Sequence, residues 1–153
     1  MEIINHLNSG DFITINLFGK DKEVKVFSTG DNQFDETGNY KDDGFALNNE
    51  EIACLNWFIS NVNIADYKKE ITEYCNEQYS MIGDTHITEN DLENEIDIFA
   101  IAINISETTQ SLNGFVYPEI SFFRNCECEP EHGICIGFRD KKFLGIQYQD
   151  WTL

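Results

Sequence analysis

Four residues towards the C-terminal end have side chains that hold metals or attack substrates: Cys126, Cys128, His132 and Cys135. Thiolates and an imidazole in a set of four suit tetrahedral zinc. Their spacing argues against it: Cys-x-Cys, then x3-His and x2-Cys, is not the common paired knuckle, and no second pair follows. Strand alternation supplies a plainer use. Cys126 and Cys128 continue the face of Ile120 and Phe122 as small core residues, while Cys135 points opposite to Ile134 and Ile136. We therefore expect no metal and no cofactor. Cys135 with His132 as nucleophile and base would need hydrogen-bond contact and an oxyanion site, and the sequence indicates neither. His132 is expected to hold a turn between strands, with Glu129 or Glu131 as partner, and Gly133 and Gly137 to serve backbone conformation or close packing. No phosphate-binding loop, dinucleotide fingerprint, HExxH or GxSxG occurs. No catalytic residue is assigned, and the chain reads as a non-enzyme.

A second candidate is the acidic, turn-rich stretch from Asp31 to Gly44. A calcium loop would need a carboxylate or Asn where Gln33 stands and a glutamate to close it twelve positions from Asp31, and neither is present. A solvated loop is the expected structure.

The elements that position these groups follow from hydrophobic period. Ile13, Ile15 and Leu17 alternate with Thr14 and Asn16 over residues 12–18. After a break at Gly19-Lys20-Asp21, Val24 and Val26 alternate again, which predicts an antiparallel hairpin with one apolar face. Asn48 and Glu51 have capping-box spacing at the start of a helix. Ile52, Leu55 and Ile59 line one side of that helix, Phe58 flanks them, and Trp57 lies off the stripe. A second helix places Ile64, Tyr67, Ile71, Tyr74, Cys75 and Tyr79 together, which reads as core packing. Thr88 and Asp91 are spaced to cap a short helix. Four strands close the chain. Phe99, Ile101, Ile103 and Ile105 form one apolar face opposite Ala100 and Ala102. Val116, Ile120 and Phe122 form the next, in a strand over 115–125 with an edge or bulge at Pro118. The last two strands join at Asp140-Lys141. These elements predict a single α+β domain over residues 1–153: an N-terminal hairpin and a C-terminal meander in an antiparallel sheet, packed against two consecutive helices.

Composition narrows the function. The net charge of −18 disfavours nucleic acid and anionic membrane surfaces, and favours a basic protein partner. From Glu70 to Phe123 there is no lysine or arginine against eleven acids. Within that block Asp91, Glu93, Glu95 and Asp97 are the expected electrostatic contacts, with Trp57 and Trp151 as anchors. Twelve phenylalanines imply a core of large flat groups or an aromatic surface kept for a partner. Five cysteines, an odd number, and a polar opening MEIINHLNSGDF fit free thiols in a reducing cytoplasm.

The ending has one further feature. Glu131-His132-Gly133 behind an acidic residue and cysteines, then an apolar strand, a charged turn, Phe143-Leu144-Gly145-Ile146 and Gln149-Asp150-Trp151, resembles a family of uncharacterised bacterial domains. Glu131, His132, Gly133 and Asp150 carry the likeness, which is sharpest from Cys126 onward and extends through the helix pair with its Leu55-Asn56-Trp57-Phe58 segment. Members are described as domains of unknown function, and relatives occur near polymorphic-toxin genes and are grouped with predicted immunity proteins. The resemblance implies a toxin-neutralising binding protein without established chemistry. An adaptor or small-ligand domain, in which acidity serves only solubility, is the alternative, and a zinc-dependent enzyme using Cys126, Cys128, His132 and Cys135 ranks behind it.

Overall fold

A computed structural model describes residues 3–83, 85–92, 96–106, 111–112, 115–116, 118–126 and 129–148. For 96–99, 111–112, 115–116, 123–126, 129–132 and 148 it describes the backbone alone.

The chain opens with a hairpin of β1 (Phe12–Leu17) and β2 (Lys20–Ser28), in which Ile13 faces Val24 and Leu17 faces Lys20. The expected break at Gly19-Lys20-Asp21 is shifted. The turn consists of Phe18 at φ 51 and Gly19 at φ 86, and Lys20 and Asp21 belong to β2. Two consecutive left-handed residues make the turn whose twist matches its flanking strands, even at the strain of a phenylalanine there. Asn16 steadies it, its side-chain oxygen accepting from the Gly19 amide at 3.2 Å.

From β2 the chain crosses the sheet through α1 (Asn49–Asn61) and α2 (Lys68–Ile82), joined by a 3-10 turn over Ile64–Tyr67. It returns in β3 (Ile96–Ile103), parallel to β2, with Val26 beside Ile101. The remaining strands are β4 (Ser111–Leu112), β5 (Phe115–Val116), β6 (Ile120–Cys126), β7 (Glu129–Arg139) and β8 (Lys142–Tyr148). The main sheet runs β1-β2-β3-β6-β7-β8, and β4 pairs with β5 apart from it. The fold is α+β as expected, with one departure. The sheet is antiparallel except at β2–β3, because an intervening helical crossover brings the chain back in its original direction.

The strand expected over 115–125 is two strands. Pro118 is neither a bulge nor an edge position within one: it lies in the connection between β5 and β6. A residue without an amide proton fits a connector, and β6, flanked on both sides, is central.

The two faces of the sheet differ in side-chain size. Rows of paired residues cross it: Val26, Ile101, Phe122, Ile136 and Ile146 in one, Ile103, Ile120, Phe138 and Phe143 in the next. These large groups face the helices and pack with Leu55, Phe58, Ile71 and Cys75. On the reverse, Phe27, Ala102, Ser121, Gly137 and Gly145 form a row, and Ala102 and Ser121 are each 1% exposed. Phe58, Phe122 and Phe138 are buried in this core, whereas Phe12 on β1 is 56% exposed. Phe138 is the hub, with ring centroids 5.5 Å from Phe58, 5.6 Å from Tyr67 and 5.8 Å from Phe143.

On α1 the buried face is Glu51, Leu55 and Phe58, with Ile52 and Ile59 half-buried beside it. The stripe is thus rotated from the expected Ile52–Leu55–Ile59, and it includes a carboxylate. On α2 the expected side is the buried one: Ile71, Cys75 and Tyr79, preceded by Ile64 and flanked by Tyr67 and Tyr74. The 31–44 loop is largely exposed. Its Asp35 carboxylate turns back on its own chain, accepting from the Thr37 amide at 2.9 Å, the Thr37 hydroxyl at 2.7 Å and the Asn39 amide at 3.0 Å. Those bonds, the Thr37 hydroxyl first, hold its pKa below the usual carboxylate value.

Candidate partner-binding site

The rotation of α1 is fixed by Glu51, which is fully buried. The predicted capping box is present: the Glu51 amide donates to Asn48 Oδ1 at 2.9 Å, and the Asn48 amide donates to Glu51 Oε1 at 3.0 Å. The carboxylate has two further partners from outside the helix. Asn32 Nδ2 donates to Oε1 at 2.6 Å, and the Ser28 hydroxyl, at the end of β2, donates to Oε2. Asn32 also donates to the Ala46 carbonyl and accepts from Lys41 Nζ at 2.9 Å. A buried carboxylate is tolerable only when its oxygens are satisfied, and here both are. The network ties β2, the 29–47 loop and the start of α1 together.

With Glu51 facing inward, the helix presents Glu50, Ala53, Cys54 and Trp57 on an adjoining side, at spacings i, i+3, i+4 and i+7. These residues form one wall of an open cleft of about 990 Å³. Glu119, Phe138 and the Arg139-Asp140-Lys141 turn form the other, with Ile105, Ser106 and Ile120 completing the lining. The β7–β8 turn is held in place by paired left-handed residues, Asp140 at φ 52 and Lys141 at φ 61. Glu119 anchors it: Oε1 accepts from the Asp140 amide at 2.9 Å and lies 3.7 Å from an Arg139 guanidinium nitrogen. The Trp57 ring meets Phe138 edge-on at 6.3 Å. Burial, with the nearby Glu119 and Glu51 charges, pushes the Cys54 thiol up to about 12. Cys54 therefore contributes a neutral, polarisable lining and not a thiolate.

A second surface is acidic. Asp66, Glu70, Glu73 and Glu77 are exposed at spacings i, i+4, i+7 and i+11, one continuous stripe along α2 and the turn before it. Lys69 flanks the stripe, while Lys68 Nζ lies 5.1 Å over the Phe18 ring. Asn76 ties a further acidic turn to this helix: its Nδ2 donates to the Ile87 carbonyl at 2.9 Å, and its Oδ1 accepts from the Ile87 amide at 2.8 Å. Glu89 and Asp91 follow in an exposed 3-10 turn, where the Asp91 carboxylate accepts from the Thr88 amide at 2.8 Å.

Of the expected contact residues, the structure thus places Asp91 beside α2 and Trp57 in the cleft, on different surfaces. Asp97 lies in β3, its backbone opposite Asn125. Glu93, Glu95 and Trp151 lie outside the described residues. Among the signature residues, Gly133 is buried in β7 at φ 63, a conformation that glycine adopts without strain. Glu131 and His132 belong to β7 by backbone, and Asp150 lies outside the described residues. His132 is therefore in a strand and not in a turn. Of the metal-like set, Cys128 is outside the description and Cys126 is described by backbone only. Cys135 is fully buried on the small-residue face, its pKa pushed up to about 12 by burial and partly opposed by a hydrogen bond with Ser121. Among the described residues no group of three or more His, Cys, Asp or Glu converges on a metal position. The sequence reading missed Glu119, Arg139 and Ala53, because the cleft draws on four segments that no local pattern connects.

Fold and surface together define an α+β protein with a helix-walled open cleft and an acidic helical stripe. The chain belongs to the family described as a domain of unknown function, DUF6985, whose model matches residues 3–153. No curated protein and no solved structure matches it.

Proposed function

We propose that this chain is a non-enzymatic binding protein of the cytoplasm that recognises a basic protein partner, of the kind a toxin-neutralising immunity protein recognises. The observation that carries this reading is the stripe of Asp66, Glu70, Glu73 and Glu77 on the exposed side of α2, with Glu89 and Asp91 fastened next to it. The likeness of the C-terminal stretch to predicted immunity proteins supports the same reading. Clustered charge of one sign raises encounter rates with an oppositely charged surface and penalises wrong partners.

The test is to co-express this chain with the product of the adjacent gene. The expected results are co-purification and loss of the partner's toxicity. Glu70→Gln, Glu73→Gln and Glu77→Gln together are expected to slow association by about tenfold at low salt, an effect that fades as salt is raised. If the neighbouring product neither co-purifies nor becomes harmless, the reading is wrong.

A further inference from the structure

Resting on the reading of a basic protein partner, we propose that the cleft between α1 and the β7–β8 turn is a socket for one long basic side chain, an arginine or lysine, presented by that partner. The groove, about 990 Å³, lies at the upper end of the range for ligand clefts and is roomy enough to admit a long side chain together with the backbone that carries it. Ala53 keeps it open, because a methyl group stands where a larger residue would fill the space between Glu50 and Trp57. An alkyl stem laid on Ala53 and Cys54 would lie beside the Trp57 ring in the same wall, and aromatic rings attract cations.

The polar groups lining the groove have unused capacity. The Glu50 carboxylate has no partner among the described residues, and Glu119 uses Oε1 while Oε2 accepts no hydrogen bond from them. Glu119 is 26% exposed, so this second oxygen is partly withdrawn from water, where a charge-assisted bond gains strength. Arg139 is matched by Glu119, and Glu50 with Asp140 outnumbers Lys141 at the rim. Among the described lining residues three carboxylates stand against two cations, a negative balance that prefers a cation. Tyr67, next to Asp66, and Trp57 both pack on the buried Phe138 ring, at 5.6 Å and 6.3 Å.

The experiment uses the full chain with Trp151→Phe, so that Trp57 supplies the only indole signal in a nitrogen-15 spectrum. Capped tetra-arginine peptide is titrated in, with capped tetra-glutamate and tri-leucine peptides as controls. Saturable movement of the Trp57 indole resonance with tetra-arginine alone is expected. Glu50→Gln should raise the apparent Kd about fivefold, and Ala53→Phe should abolish the indole shift while α2 amides still respond. The Glu70/Glu73/Glu77 glutamine variant should weaken binding but keep the shift, which separates this socket from the stripe. An indole unmoved while α2 amides saturate, or moved equally by tetra-glutamate, overturns the proposal. Equal response to tri-leucine would make the cleft a plain apolar groove and overturns it also.

Discussion

Replacing Glu51 by alanine should be among the costliest single changes in the molecule. Its carboxylate accepts from the Asn48 amide at 3.0 Å, Asn32 Nδ2 at 2.6 Å and the Ser28 hydroxyl, all at a position without solvent access. Alanine removes the acceptor and leaves the donors. A lost capping interaction costs about 1 kcal/mol. Each buried donor without an acceptor adds about 1–3 kcal/mol, although Asn32 keeps its bond to the Ala46 carbonyl. Against this stands relief from desolvating a carboxylate. The balance is a loss of about 3 kcal/mol, a large share of the roughly 5–15 kcal/mol that holds a domain folded.

Glu51→Gln separates bonding from burial. Its oxygen can still accept from Asn48 and Asn32, and its amide can donate to the Ser28 hydroxyl, so the expected loss is only about 1 kcal/mol. Equilibrium urea unfolding, followed by far-ultraviolet circular dichroism, reads both. Ser28→Ala, alone and with Glu51→Ala, completes a cycle in which a coupling of about 1 kcal/mol or more is expected. A loss under about 1 kcal/mol for Glu51→Ala, or equal losses for Ala and Gln, would refute the argument that these bonds fasten the loop and β2 to α1.

Two other perturbations test the rest of the frame. A Cβ at Gly30 would collide with the backbone of Ile105, lying 2.6 Å from its nitrogen, and would disturb the bond from the Asp31 amide to the Ile105 carbonyl at 3.0 Å. Gly30→Ala should therefore cost about 2 kcal/mol and lower Tm by about 4–8 °C; an unchanged Tm contradicts the close approach. The thiols of Cys54 and Cys135, raised from 9.0 to about 12 by burial, should resist iodoacetamide at pH 8 in the native state and react once unfolded, as peptide mass spectrometry will show. The unfolded chain loses these protons near 9 and the folded chain keeps them, so stability should fall as pH rises from about 9 towards 12; rapid native labelling of either thiol refutes this.

Local features were legible in the sequence because their causes are local. The Asn48–Glu51 capping box, the buried side of α2 and the Asp140-Lys141 turn depend on neighbours a few residues apart. What failed depends on distance in the chain. Nothing in the alternation of β2 or β3 says that they lie side by side and parallel, since pairing is decided by where two helices deliver the chain. Phe18 reads as the end of the first strand because it is apolar and follows Leu17 directly, yet the turn needs two left-handed residues and takes it. Pro118 cannot donate to a ladder, but alternation alone does not show that the chain leaves one sheet there and enters another.

The candidate site shows the same division and its consequence. Glu50 and Glu51 are neighbours with the same side chain, and composition cannot tell them apart. A step of about 100° around the helix separates them. Ser28 and Asn32 hold Glu51 inward, which leaves Glu50 on the side shared with Ala53, Cys54 and Trp57. The buried carboxylate therefore sets the rotation that aims the exposed one. The large-residue rows of the sheet, with Phe138 between Ile120 and Phe143, then bring the β7–β8 turn against that side of α1. The cleft follows from those two constraints, and loosening Glu51 should disorder its wall before the fold itself is lost.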